Sequence, residues 1–221
     1  MIVASHQPTF FPYMGYFYKV FKSDVFVLSD DVPYAKRVFQ NYNNIKTPHG
    51  LHRITLPITF KNKCLMNEVQ YKLPKEILMT IEMAYKKAPY FDEVFPLIKK
   101  TLEAPYDNLS ELNKAMITLF IKKFGFKTEL HVSSDLKFRE KNKWRILEMC
   151  DRFDATGYYA GQGATDYLNK DLFAEQGYRL YFTDYEPVVY PQLWSEEFIP
   201  NLSVIDYVMN CGFTIPKEWK K

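Results

Sequence analysis

Four clusters of polar or glycine residues each follow a short apolar run. They are Ser5-His6-Gln7 after "IVA", Ser29-Asp30-Asp31 after "VFVL", Ser133-Ser134-Asp135 after "ELHV", and Gly161-Gln162-Gly163 after "GYYA". A histidine can take or give a proton near neutral pH, or donate to a phosphate or carboxylate. Paired aspartates can orient an amine or hydroxyl, accept a proton, or share a cation with a phosphorylated ligand. Glycines allow a backbone to approach a ligand closely, and helix N-termini attract anions. His6, Asp30 and Asp31 are therefore the candidate catalytic residues, and Gln7, Gly161 and Gln162 are candidates for holding a substrate.

A second polar stretch, "YAKRVFQNYNNIKTPHG", follows the Asp30-Asp31 pair. Lys36, Arg37 and Lys46 supply positive charge. Asn41 and Asn43 supply amides that both donate and accept. That mixture suits a phosphorylated, polyhydroxylated ligand, with Arg preferred for bidentate phosphate contact; a long surface loop is the plain alternative. Tyr190 and Gln192, in "VVYPQLW", are further candidates for lining a pocket.

These residues need elements to position them. "IVAS", a helical "GYFYKVFKS" and "DVFVLS" make a strand–helix–strand unit within the first 30 residues, so a parallel sheet is expected. "LHRITLPI" alternates like a half-exposed strand or a hairpin edge. From Pro74 to about Phe124 the apolar period turns helical: "PKEILMTIEMAYKKAP", "YFDEVFPLIKKTLEAP" and "NLSELNKAMITLFIKKFG". The α/β rhythm then resumes with strands at "TELHVSSD", "ATGYYAG" and "YRLYFTDY", and helices at "EKNKWRILEMCDRF", "KDLFAEQG" and "NLSVIDYVMNCG". The expected architecture is a single α/β domain over 1–221, with a central, mostly parallel sheet and a helical insertion at about 74–124. Open parallel sheets bind ligands at the carboxyl ends of their strands. If the four strands run parallel, their four polar clusters meet on one rim.

Composition narrows the function classes. Twenty-nine basic and 26 acidic residues leave a net charge of +3. This fits a small phosphorylated or sugar substrate and requires neither nucleic acid nor a membrane. No apolar stretch reaches the roughly 18 residues of a spanning helix, and no basic leader precedes the first apolar run. Cys64, Cys150 and Cys211 are odd in number and far apart, and only four histidines are present. They read as reduced thiols of a cytoplasmic protein, with no metal site. The cofactor stays open; Mg²⁺ carried by a nucleotide or nucleotide-sugar is compatible. There is no GxSxG, HExxH, GxGxxG or P-loop pattern.

The block "SHQPTFFPYMGYFYKVFKSDVFVLSDDVPYAKRVFQNYNNIKTPHG" resembles the opening signature of the WbqC-like family: His-Gln-Pro, then Pro-x-x-Gly-Tyr-Phe, Asp-Asp-Val and Asn-x-Asn-x-Ile-Lys-Thr. "AYKKAPYF", "YYAGQGATDYL", "VYPQLW" and "FIPNLSVIDYVMNCG" resemble its later blocks in the same order. Between the two asparagines, where the family carries a basic residue, this chain has Tyr42. The resemblance implies a bacterial enzyme of O-antigen or other surface-polysaccharide biosynthesis. It would be a transferase adding a small glycyl, aminoacyl or acyl group to a nucleotide- or lipid-linked sugar. Two alternatives stand beside it: an ATP-dependent nucleotidyltransferase-like enzyme, loosely suggested by a histidine after the first strand and Gly15-Tyr16 at a helix start, and a non-catalytic scaffold of a polysaccharide assembly complex.

Overall fold

The computed structural model describes residues 1–36, 38–194 and 196–220. Its first unit is β1 (Ile2–His6), α1 (Met14–Phe21) and β2 (Val25–Leu28). A hairpin follows, β3 (Tyr42–Thr47) with β4 (Gly50–Thr55), then a small antiparallel pair, β5 (Ile58–Thr59) with β6 (Gln70–Tyr71). Three helices come next: α2 (Lys75–Tyr85), α3 (Phe91–Glu103) and α4 (Leu109–Phe124). The chain ends with β7 (Glu129–Val132), α5 (Ser133–Leu136), α6 (Asn142–Arg152), β8 (Gly157–Ala160), α7 (Lys170–Glu175), β9 (Arg179–Phe182) and α8 (Val204–Cys211).

β1, β2, β7, β8 and β9 form one five-stranded sheet in the order β7-β2-β1-β8-β9, and every pairing is parallel. The expected parallel α/β fold is therefore present. Both faces of the sheet are covered, as the two-residue period of a strand demands. Val3, Val25, Val27, Tyr158 and Leu180 pack on one face with Ile146, Leu147 and Cys150 of α6 and Phe173 of α7. Ala4, Phe26, Leu28 and Tyr159 pack on the other with α1, α8 and the helices of the insertion. α1 is sandwiched: Phe17 meets Phe120 and Phe124 of α4 at ring-centroid distances of 5.7 and 5.8 Å.

Local chemistry sets several boundaries. The Asn108 side chain caps α4 by accepting from the Glu111 amide at 3.0 Å, and Gly125 ends that helix at φ +70°. The "YNNIKT" stretch is a strand rather than a loop. Its buried Asn43 and Lys46 are satisfied by internal bonds, so polar composition did not force it to the surface. On β8, an added methyl at Gly157 would sit 2.6 Å from the backbone oxygen of Arg179. Gly157→Ala should therefore push β9 away, costing about 1–3 kcal/mol and lowering the melting temperature by about 3–10 °C; thermal unfolding by circular dichroism measures it.

The order of connections fixes where a ligand belongs. From β1 the chain steps outward to β2 and β7, then crosses back over both to reach β8 and β9 on the other side of β1. The direction of winding reverses between β1 and β8. Their outgoing loops must separate there, leaving a crevice beyond the strand ends.

Candidate functional site

That crevice is a cleft of two adjoining chambers. The larger, of about 660 Å³, is lined at the end of β1 by Ser5, His6 and Gln7, past the end of β2 by Ser29, Val32 and Pro33, and at the end of β8 by Ala160, Gly161 and Gly163. Asn142, Arg145, Ile146 and Met149 of α6 line it too, with Lys19, Ala164, Tyr158 and Tyr167. The smaller, of about 210 Å³, is lined by Tyr13, Gly15, Tyr16, Gln162, Thr183 and Tyr185. His6, Lys19, Gly161 and Gly163 border both.

The loop that carries the chain from β1 into α1 is held by buried amides. Asn43 donates to the carbonyls of Phe10 (3.1 Å) and Phe11 (2.7 Å), and Asn113 donates to that of Pro8 (3.1 Å). Phe11 sits at φ +46° within this loop, a conformation that a bulky residue keeps only when its surroundings hold it. Gly15 leaves room for the Tyr13 ring to lie across the start of α1, where a Cβ would collide with it.

His6 points into the cleft and is exposed to it. Its Nδ1 is 2.9 Å from the Gln7 carbonyl oxygen. A carbonyl can only accept, so Nδ1 carries the proton and Nε2 is left with a free lone pair. Crowding by the cleft walls and the nearby positive charge of Lys19 lower the imidazole pKa from its ordinary value. The ring is thus neutral at pH 7 and able to accept a proton. The Tyr16 ring stands edge-on to it at 5.0 Å, fixing its plane.

Lys19 is buried at 6% exposure, and its Nζ donates to the Ser5 carbonyl at 2.7 Å. Burial pushes its ammonium down to about 7. Ser5 in turn shares a 2.7 Å hydrogen bond with the Tyr158 hydroxyl. Neither Lys19 nor Arg145 stands out in the sequence. The helical reading of "GYFYKVFKS" assigns Lys19 no role, whereas α1 is buried on nearly all sides and takes the lysine in with it. The usable signal is that Lys19 is the one charged residue in "MGYFYKVF".

The two aspartates end β2 on this rim but lie outside the lining of both chambers. Asp30 is buried and accepts from the Ser134 amide (2.9 Å), the Ser134 hydroxyl (2.8 Å) and the Ser133 hydroxyl (3.1 Å). It thereby ties β2 to the start of α5. Asp31 accepts from Ser133 and forms an ion pair with Arg145, which it holds against the larger chamber. Gln7 and Gly161 line the larger chamber, and Gln162 the smaller; the Gln7 side-chain oxygen accepts from Gln40.

The remaining candidates sit elsewhere. Lys36 lies over the Phe60 ring, and Asn41 donates to the Leu56 carbonyl at 2.9 Å. Arg37 lies outside the described residues. Lys46, Tyr190 and Gln192 belong to a separate buried network that fastens the described residues of 183–194 and 196–203. Lys46 donates to the Glu197 carbonyl (2.6 Å) and the Gln192 side chain (3.3 Å), while Gln192 exchanges two bonds with Ile199. Tyr190 and Tyr85 both donate to Asp206, at 3.0 and 2.7 Å. Lys36, Asn41, Lys46, Tyr190 and Gln192 are absent from the lining of both chambers. Among the described residues no group of three or more His, Cys, Asp or Glu side chains could hold a metal, and no helix is long and apolar enough to cross a membrane.

The WbqC-like protein family profile matches residues 7–217, from the Gln7 that lines the larger chamber to the last turn of the chain. The chain belongs to the WbqC-like family. A relative from Mycobacterium tuberculosis, described as uncharacterized protein Rv1507c, is 31% identical over 97% of this chain and 95% of its own length. No solved structure matches. His6 falls one residue ahead of the family match, while most other cleft residues of this WbqC-like protein, Lys19 and Arg145 among them, fall within it.

Proposed function

We propose that this WbqC-like protein is a cytoplasmic transferase of bacterial surface-polysaccharide biosynthesis. It adds a small glycyl, aminoacyl or acyl group to an amine or hydroxyl of a nucleotide- or lipid-linked sugar. One observation supports this reading above the others: two chambers meet at a neutral histidine and a buried lysine. A binding protein needs one pocket. A transferase must hold two reactants side by side with an acid–base group between them.

In this reading the acceptor attacks the donor's carbonyl carbon while His6 Nε2 removes its proton. A C–N or C–O bond forms, and the donor's leaving group departs with the bonding electron pair. Lys19, when protonated, stabilises the negative charge that develops on oxygen. His6 and Lys19 are the catalytic residues. Asp31 positions Arg145, and Asp30 positions the turn into α5.

A second reading, ATP-dependent nucleotidyl transfer, is favoured by Gly15 in the first turn of α1 facing the smaller chamber, directly after the first strand of a doubly wound sheet. Pyrophosphate release separates the two. Both are tested by melting the protein with nucleotides, UDP-, GDP- and dTDP-sugars, acetyl-CoA, and glycine with ATP, each with and without Mg²⁺. A ligand at 100 times its dissociation constant adds about 2.7 kcal/mol, which raises the melting temperature by about 5 °C or more. The binding pair is then incubated and the product weighed by mass spectrometry. His6→Ala should keep the melting shifts and lose about 10²- to 10⁴-fold in turnover. Two bound reactants that yield no product with the wild type, or undiminished turnover by His6→Ala, would exclude the assignment.

A further inference from the structure

The two chambers are unusual in their charge. Among the described residues that line them there is Lys19 and Arg145 but no aspartate or glutamate. Lys19 is the sharper case, because it is buried and its hydrogen bond goes to a neutral carbonyl rather than to a carboxylate. An ammonium has three protons to donate. One goes to the Ser5 carbonyl; the other two meet no acceptor among the described residues. Lys19 lines both chambers, and a methyl added at Gly161 would come into van der Waals contact with its Nζ at 3.9 Å, so the glycine leaves the amine accessible on that side. The first turn of α1, which lines the smaller chamber through Gly15 and Tyr16, has no acidic residue and no side-chain cap. Its amides add positive potential on the same side. At Arg145, Nη2 is held by Asp31, and the buried Nε has no hydrogen-bond partner among the described residues.

We propose that the wall shared by the two chambers is a seat for a phosphate or diphosphate group, built on Lys19 and assisted by Arg145 from the larger chamber and the start of α1 from the smaller. This deepens the transferase reading and rests on it for taking the cleft as the substrate site. Lys19 is a clean reporter. The other ionisable groups lining the chambers are His6, Arg145 and the tyrosines at 13, 16, 158, 167 and 185. Burial raises all five tyrosines above their ordinary value, and an arginine keeps its charge. His6 is lowered. Between pH 7 and 9 the empty cleft therefore changes charge at Lys19 alone. An incoming phosphoanion favours the charged amine and draws a proton from solvent.

The test is isothermal titration calorimetry of the intact chain with ATP, a UDP-sugar and inorganic pyrophosphate, each with and without Mg²⁺. ATP is titrated at pH 6.5 and pH 8.3, in two buffers of different ionisation enthalpy at each pH. At pH 8.3 a terminal phosphate with a pKa of about 6 is already deprotonated, so proton uptake reports on the protein. The expected result is tenfold or greater weakening between pH 6.5 and 8.3, and uptake approaching one proton per ligand at pH 8.3. In Lys19→Met the affinity should fall tenfold or more and the uptake should vanish, while the variant melts no lower than the wild type. Tighter binding of a nucleotide than of pyrophosphate would assign the larger chamber to the nucleoside; equal binding would leave the seat to the phosphates alone. Unchanged affinity or persistent proton uptake in Lys19→Met overturns the proposal. So does failure of every phosphoanion to bind at millimolar concentration. If a non-phosphorylated donor and acceptor still react in that last case, the seat is refuted and the transferase reading stands.

Discussion

Replacing Lys19 with methionine should raise the melting temperature of the ligand-free protein at pH 6 by about 5 °C or more, while emptying the cleft of its central charge. The amine's pKa falls from 10.5 to about 7 on folding because burial strips its hydration. Between those two values the unfolded chain holds a proton that the folded chain has lost, so stability rises with pH across that interval. Below pH 7 both states are protonated, and the full penalty of a buried ammonium is present. A tenfold change in proton affinity corresponds to about 1.4 kcal/mol, so a fall of this size implies a penalty of a few kcal/mol. Methionine matches the chain's shape without the charge. It leaves the Ser5 carbonyl short of a donor, an offset of about 1 kcal/mol. At about 2–4 °C per kcal/mol for a chain of this size, the net gain is readily measured by differential scanning calorimetry. The difference between variant and wild type should shrink as the pH climbs towards 10. A variant that melts lower at pH 6, or a gain that does not fade, would mean that Lys19 is a structural group rather than one held at a cost for a ligand.

The opposite sign is expected at the second buried polar network. Asp206→Ala should lower the melting temperature by about 10 °C. Asp206 is fully buried on α8, where burial raises its pKa and the bonds from Tyr85 and Tyr190 and the charge of Lys46 oppose that rise. Truncation leaves two buried hydroxyls without their acceptor and Lys46 without this counter-charge. Removing one partner from a buried ionic network costs about 3–5 kcal/mol. Asp206→Asn, which keeps an acceptor and loses the charge, should fall between wild type and Asp206→Ala. Because this network fastens the stretch around Tyr190 and Gln192, close in sequence to the Tyr185 that lines the smaller chamber, limited proteolysis should cut there sooner in Asp206→Ala. Equal melting of Asp206→Ala and wild type would rule out the network as a fastening.

The contrast between these networks explains what could be read from the sequence. Ser5-His6-Gln7 and Gly161-Gln162-Gly163 were legible because a buried strand is an apolar run, and the residues where it stops face the rim of a parallel sheet. The helical insertion was legible because its period persists for three helices. Lys19 and Arg145 were hidden because their helices look amphipathic in one dimension, and only the packed structure puts their charged ends inside a cleft. The polar residues of β3 gave the reverse difficulty. Asn43 and Lys46 resemble ligand-binding loop residues, yet their partners are the Phe10 and Phe11 carbonyls and the 192–206 region, more than thirty residues away in either case. Local sequence contains no trace of such distant partners.

The position of the insertion also governs how the protein reaches its native state. β2 and β7 are neighbours in the sheet, with Val25 opposite Glu129, although β3 to β6 and three helices lie between them. Closing an unstructured loop of roughly one hundred residues carries a large entropic toll before any contact repays it, and such long-range pairing slows folding. The helices α2 to α4 can form from local contacts and draw the ends of that loop together. Asp30 meets its Ser133 and Ser134 partners only once β7 has docked. The rim of the cleft should accordingly be among the last parts of the chain to acquire its native shape, and freshly synthesised protein should become competent for ligand only after its helical middle has formed.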